Sequence, residues 1–136
     1  MQADELQAKP LALVIDDCQD TLRTLRHFFE AAGAEVITAE SGSEALDLYS
    51  NKSQQGIKGE FQLIVTDIRM PKMNGTEVVK RLRQAGYAGK IVVLTAAASG
   101  EGRCGTIECG ADTYLSKLTF NEKIAETLVS QAAIGR

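Results

Sequence analysis

Leu11 to Ile15 is a five-residue apolar run that stops on two adjacent aspartates, Asp16 and Asp17, and the residues after it change period. A short run with no polar alternation suits a strand buried on both faces, the condition of a parallel sheet covered by helices. Leu22, Leu25, Phe29 and Ala32 then recur at steps of three, four and three, which predicts one apolar helix stripe, and Gly33 supplies its stop. The same succession repeats along the chain. Glu35 to Ala39 is the second predicted strand, and Ser41 with Glu44 has the spacing of a capping box for a helix through Tyr49. Residues 61–66 give a third strand ending at Asp67, and a helix from about Thr76 turns Val78, Val79 and Leu82 inward before Gly86. Residues 91–94 make a fourth strand ending at Thr95, and residues 113–115 a brief fifth before Lys117. Thr119 with Glu122 is another capping-box spacing, ahead of Ile124, Leu128 and Ala132 on a last helix.

Two stretches break the pattern. Residues 50–60 are polar, contain Gly56 and Gly59, and predict a long surface loop. After Thr95 come Gly100, Gly102, Gly105 and Gly110, and each glycine inside a helix costs about 1 kcal/mol relative to alanine, so the helix expected there is short and weak. Five strands alternating with five helices imply a doubly wound α/β domain, a parallel sheet with helices on both faces joined by right-handed crossovers. Ligands of such sheets bind outside the carboxyl ends of the strands. Asp16, Asp17, Asp67, Thr95 and Lys117 all stand there.

Composition narrows the function classes. The chain has 136 residues, 44% of them hydrophobic, enough for one domain at residues 10–136 that needs no disulfide or structural metal, with residues 1–9 as a tail or linker. Fifteen basic against 18 acidic residues leave a net charge of −3 with no basic cluster, so no nucleic-acid contact is expected. The longest apolar stretches fall short of the roughly 20 residues of a membrane span, and the acidic first residues do not suit a secretory signal; a cytoplasmic location without membrane contact is the expectation. Cys18, Cys104 and Cys109 form no C-x-x-C pair and read as reduced thiols.

Three crowded carboxylates repel at neutral pH and call for a shared proton or a divalent cation. Oxygen-only donors with vacant positions suit Mg²⁺, held by Asp16 and Asp17 directly or through water. Asp67, alone on the neighbouring strand, suits a carboxylate nucleophile that accepts a phosphoryl group as an acyl phosphate. Lys117 and Thr95 would then neutralise and hold the phosphoryl oxygens. Taken singly, each residue has a plainer reading: an aspartate after a strand caps a helix, Tyr114 packs on a helix, Met70 and Met73 pack a loop, and His27 is a partly exposed helix residue.

The acid pair Asp16-Asp17, the stretch from Asp67 through Ile68-Arg69-Met70-Pro71-Lys72-Met73-Asn74 to Gly75, then Leu94-Thr95-Ala96, and Gly110-Ala111-Asp112-Thr113-Tyr114-Leu115-Ser116-Lys117 resemble the receiver domain of two-component response regulators over nearly the whole chain. The resemblance implies a flavodoxin-like five-stranded sheet of order 2-1-3-4-5. It implies that Asp67 is the phosphoacceptor and that Mg²⁺ is held by Asp16, Asp17, Asp67 and the backbone carbonyl of Arg69. Lys117 becomes the phosphoryl-binding lysine, and Thr95 with Tyr114 the switch pair. The implied partners are a histidine kinase or histidine phosphotransfer protein as donor and a downstream effector protein or domain. It leaves open a stand-alone regulator or a receiver from a hybrid histidine kinase or longer regulator.

Two departures stand out. Receivers commonly follow this lysine with a cis proline, where this chain has Leu118, and a cis bond before leucine costs about 2.5–4 kcal/mol; a trans bond with Lys117 still reaching the pocket is expected. The other is the glycine content after Thr95. The leading function is a phosphorylation-controlled signalling domain, not an enzyme beyond gaining and losing its own phosphoryl group. The alternative is a degenerate receiver that binds proteins independently of phosphorylation. An aspartyl-phosphate enzyme would have its two acids two positions apart after the first strand, and a dinucleotide or flavin carrier would need a glycine- or hydroxyl-rich first turn.

Overall fold

The computed structural model describes residues 9–57, 59–95 and 110–134. Its strands are β1 (Leu11–Ile15), β2 (Glu35–Ala39), β3 (Leu63–Asp67), β4 (Lys90–Thr95) and β5 (Thr113–Ser116). Its helices, among the described residues, are α1 (Gln19–Ala31), α2 (Gly42–Ser50), α3 (Gly75–Gln84) and α4 (Glu122–Ile134). The weak helix expected between Thr95 and Gly110, and with it Cys104 and Cys109, lies outside the described residues. All strand pairs are parallel, in the order β2-β1-β3-β4-β5. The order reverses between β1 and β3, so adjacent crossovers leave in opposite directions and a crevice opens above their carboxyl ends.

Each face of the sheet has its own core. Ala12, Val14, Val65 and Leu94 pack with Leu22, Leu25 and Phe29 of α1 and Ala125, Leu128 and Val129 of α4. Leu13, Ile15, Ile64 and Val93 pack with Ala45 of α2 and Val78, Val79 and Leu82 of α3. This alternation is what a strand buried on both faces must show. Helix ends obey local chemistry: Ser41 Oγ accepts from the Glu44 N–H and so caps α2 as predicted, while the Glu44 carboxylate accepts from the N–H of Glu40, one residue before the cap, rather than from that of Ser41 itself. Among the described residues no helix is long and apolar enough to cross a membrane.

Three expectations need correction. Strand β3 begins at Leu63 and includes Asp67, because Phe61 turns into the core and the Gln62 side chain accepts from the Leu11 N–H. Thr119 does not cap the last helix. It sits in a single 3₁₀ turn, Lys117–Thr119, started by Ser116 Oγ, and the capping side chain is Asn121, whose Oδ1 accepts from the Ile124 N–H. The stretch after α2 is a folded turn rather than an open loop: Asn51 and Ile57 donate to the carbonyls of Asp47 and Lys52. Lys52 fastens it, its ammonium 4.6 Å from the Tyr49 ring centroid and 3.3 Å from Glu60.

Candidate functional site

Strand register brings the polar residues at the carboxyl ends together in steps. Ile15 pairs with Thr66, so Asp16 stands level with Asp67 across the β1–β3 boundary. Asp67 pairs with Leu94 and Thr95 with Ser116, so Thr95 lies one position beyond Asp67 and Lys117 one beyond Thr95. Because side chains alternate between the two faces, the stagger sorts the rim into two groups. Asp16, Asp67 and Lys117 continue the stripe of Val14, Val65 and Leu115 toward α1 and α4. Tyr114 packs with the opposite core, and the buried Thr95 continues the stripe of Ile91 and Val93 toward that side.

Among the described residues, Asp16, Asp17 and Asp67 each offer an oxygen, and the three oxygens lie within 4.8 Å of one another. Asp16 is 1% and Asp67 7% exposed, whereas Asp17 faces solvent. Lys117 reaches back over the cluster, its Nζ 2.6 Å from Asp16 Oδ2 and 3.2 Å from Asp67 Oδ2. The remaining oxygens serve the backbone: Asp16 Oδ1 accepts from the Cys18 N–H and Asp67 Oδ1 from the Ile68 N–H, both at 2.9 Å. Asp16 therefore does not cap α1, whose N-cap residue is Cys18, but braces the turn just before it and lends its other oxygen to the rim.

Burial raises the Asp67 carboxyl above its usual pKa; Lys117 offsets part of this and the Asp16 charge adds to it. For Lys117, burial works to lower the pKa, but the contact with Asp16 and the charges of Asp67 and Asp16 outweigh it, so the ammonium is held above its ordinary value. Among the described residues, three carboxylates face one ammonium, which leaves negative charge uncompensated. An all-oxygen donor set of that charge fits a hard divalent cation.

The turn after β3 is built around backbone contacts. Gly75 donates its N–H to the Ile68 carbonyl at 2.7 Å, and a Cβ at Gly75 would stand 2.0 Å from the Asp67 carbonyl oxygen, so no side chain fits there. The Thr66 hydroxyl donates to that same Asp67 carbonyl, and Asn74 Oδ1 accepts from the Glu77 N–H to cap α3. Between these fixed points Met73 donates its N–H to the Pro71 carbonyl at 2.7 Å, closing a tight turn with Lys72 at φ +72°. A γ-turn with positive φ is rare and strained, and here Met70 and Met73 hold it by packing on either side, as expected of them. Arg69, two residues after Asp67, is part of this turn, with its side chain exposed.

Downstream, the Lys117–Leu118 bond is trans, as expected for leucine, and Leu118 is 78% exposed. Ser116 Oγ takes over the turn by accepting from the Leu118 N–H at 3.1 Å, which leaves the Lys117 stem free to fold back over the acids.

Residues 12–129 match the family of the response regulator receiver domain. The chain belongs to that family. It is 35% identical to the transcriptional regulatory protein CpxR of Escherichia coli (strain K12) over 111 residues, covering 82% of this chain and 44% of CpxR. It thus spans less than half of that curated relative. The chemotaxis response regulator CheY4 of Vibrio cholerae superposes with a TM-score of 0.75 at 32% identity, covering 92% of this chain and 99% of CheY4. A receiver domain protein from Clostridium thermocellum shares the fold with a TM-score of 0.79 at 23% identity, over 91% of this chain and 94% of that one.

In this receiver domain the sequence-predicted residues do not all meet at one point. Asp16, Asp17, Asp67 and Lys117 form a single cluster, while Thr95 and Tyr114 lie toward the other face. The sequence marks Gly75 as a turn residue but does not reveal that it must pass against the Asp67 carbonyl. The signal available is its position directly after a capping Asn, where a helix starts beside a strand end. Nor does the sequence single out Arg83, whose partners Gly110 and Asp112 lie 27 and 29 positions away.

Proposed function

We propose that this receiver domain is the phosphoacceptor of a two-component phosphorelay, taking a phosphoryl group from a phosphohistidine of a histidine kinase or phosphotransfer protein onto Asp67. The observation that carries the reading is Lys117 Nζ standing between Asp16 and Asp67 in a cluster of three carboxylates. Asp16, Asp17, Asp67 and the Arg69 carbonyl are the groups that would hold Mg²⁺, which would supply the positive charge that lets a phosphoryl group approach three acids. The Ile68 N–H fixes the plane of the Asp67 carboxylate for attack. An Asp67 oxygen forms the new O–P bond as the N–P bond of the phosphoimidazole breaks, and the imidazole leaves neutral with a proton on its other nitrogen. Lys117 then pairs with a phosphoryl oxygen in place of an aspartate oxygen.

Thr95 is the switch hydroxyl and Tyr114 the switch aromatic in this reading. Their placement toward α2 and α3 supports a signal passed to the face opposite α1, where an effector protein or domain reads it. The domain catalyses only the gain and loss of its own phosphoryl group, in the cytoplasm, with residues 1–9 as a tail or as a linker within a longer regulator. Incubation with Mg²⁺ and acetyl phosphate tests the reading by intact mass. One alkali-labile phosphoryl group on the wild type and none on Asp67→Asn is expected. A wild type without adduct favours a protein-binding module instead.

A further inference from the structure

Arg83, near the end of α3, donates four side-chain hydrogen bonds at the amino ends of the strands, away from the acidic rim. Its Nε donates to the Gly110 carbonyl at 3.0 Å, Nη1 to the carbonyls of Tyr87 and Gly89 at 2.9 Å each, and Nη2 to Asp112 Oδ2 at 2.8 Å. Asp112 Oδ2 also accepts from the Ile91 N–H, and the Asp112 N–H donates to the Ile91 carbonyl, both bonds tying it to β4. Gly110, at φ +115°, is packed so closely that a Cβ would lie 2.9 Å from Arg83 Cγ. The guanidinium thus fastens the residues that lead into β5 to α3 and to the start of β4.

The position of β5 determines what this fastening controls. Among the described residues it is an edge strand of four residues, each only half-buried, paired with β4 alone. Its apolar anchoring rests on the partly buried Tyr114 and Leu115, one on each core, while Lys117 comes directly after its last residue, and its ammonium must arrive between Asp16 and Asp67. A shift of one residue along the strand would carry Lys117 by about 3.3 Å and turn its side chain to the opposite face. We infer that Arg83 is a positioning residue for Lys117: by locking Gly110 and Asp112 it sets the register of β5 and so places the ammonium over the acids. A lysine at position 83 would keep the charge but lose the planar fork that reaches four acceptors at once.

The inference rests on the proposed role of Lys117 only for its kinetic arm, and a double-mutant cycle separates the two. Arg83→Ala and Lys117→Ala are made singly and together. Mg²⁺ affinity is measured by calorimetry and phosphorylation rate with acetyl phosphate by intact mass. Arg83→Ala alone is expected to slow phosphorylation about tenfold and to tighten Mg²⁺ binding about threefold, because the displaced ammonium no longer competes for the carboxylates. In the Lys117→Ala background the same substitution should change each quantity less than twofold, since there is no ammonium left to misplace. Equal effects in both backgrounds, or no effect in either, overturn the inference. If the wild type takes up no phosphoryl group, the proposed function fails while the Mg²⁺ arm still decides the role of Arg83. Should Arg83→Ala not fold, Arg83→Lys carries the same cycle with the same outcomes.

Discussion

Among the described residues, three carboxylates crowd around one ammonium at the carboxyl ends of the strands, whereas at the amino ends one guanidinium meets one carboxylate and three carbonyls. Both clusters join residues distant in sequence, and both contain a partly buried cation. They differ in balance. Arg83 and Asp112 satisfy each other and their neighbours, as a structural network must if it is to stabilise a fold. The rim keeps an excess of negative charge in a site where Asp16 and Asp67 are nearly closed off from water, a cost to the fold unless a cation or a proton arrives. An unbalanced cluster on a fold whose ligands bind at that rim is where a function belongs, and a balanced one at the opposite end is scaffold.

The largest effect should come from the backbone that holds the rim. Gly75→Ala sets a methyl against the Asp67 carbonyl oxygen, and a loss of about 3 kcal/mol in denaturant unfolding is expected. A loss under about 1 kcal/mol would mean the turn yields easily and the rim is less rigid than the amino-end network.

The contrast itself is tested by removing one member from each end. Asp112→Ala and Lys117→Ala should each cost about 2 kcal/mol without metal, the first by stranding Arg83 and the second by leaving the buried Asp16 charge without its partner. Millimolar Mg²⁺ should restore the melting temperature of Lys117→Ala and leave that of Asp112→Ala where it was. Equal responses to Mg²⁺ would erase the distinction between the two clusters.

Removing negative charge from the rim should do the opposite of harm. Because burial holds the Asp67 pKa above its unfolded value, its protonated form favours the fold. That contribution is complete below the unfolded pKa and is lost as pH rises through the folded one. At neutral pH without metal, Asp67→Asn should therefore melt higher than the wild type, and the gap should close as the pH falls through the carboxyl range. A gap that widens in acid would contradict the burial argument.

The smallest effect concerns Lys72. Glycine accepts its φ of +72° without strain, so Lys72→Gly should stabilise by about 0.5 kcal/mol after the extra freedom of the unfolded chain is counted. A destabilised variant would show that the lysine side chain contributes to the turn.

The strands and helices are legible because each carries its own period: Leu11–Ile15 and Glu35–Ala39 are read to the residue, and the stripe of Leu22, Leu25 and Phe29 is the face that α1 buries. The acids, Thr95 and Lys117 are legible because a parallel sheet gathers the residues just past each strand at one rim, whatever the details of packing. Element ends are less so. Whether Thr119 or Asn121 caps α4 depends on how Ser116 turns the chain after β5, and local spacing permits both. Distance and facing are decided only by the tertiary structure. Register places Asp16 beside Asp67 and sends Thr95 and Tyr114 to the other side, and the packing of α3 brings Arg83 against Gly110 and Asp112. Periodicity is a property of neighbours along the chain, so sequence can state it. Register and close approach are properties of segments far apart in sequence, and they exist only once those segments have packed.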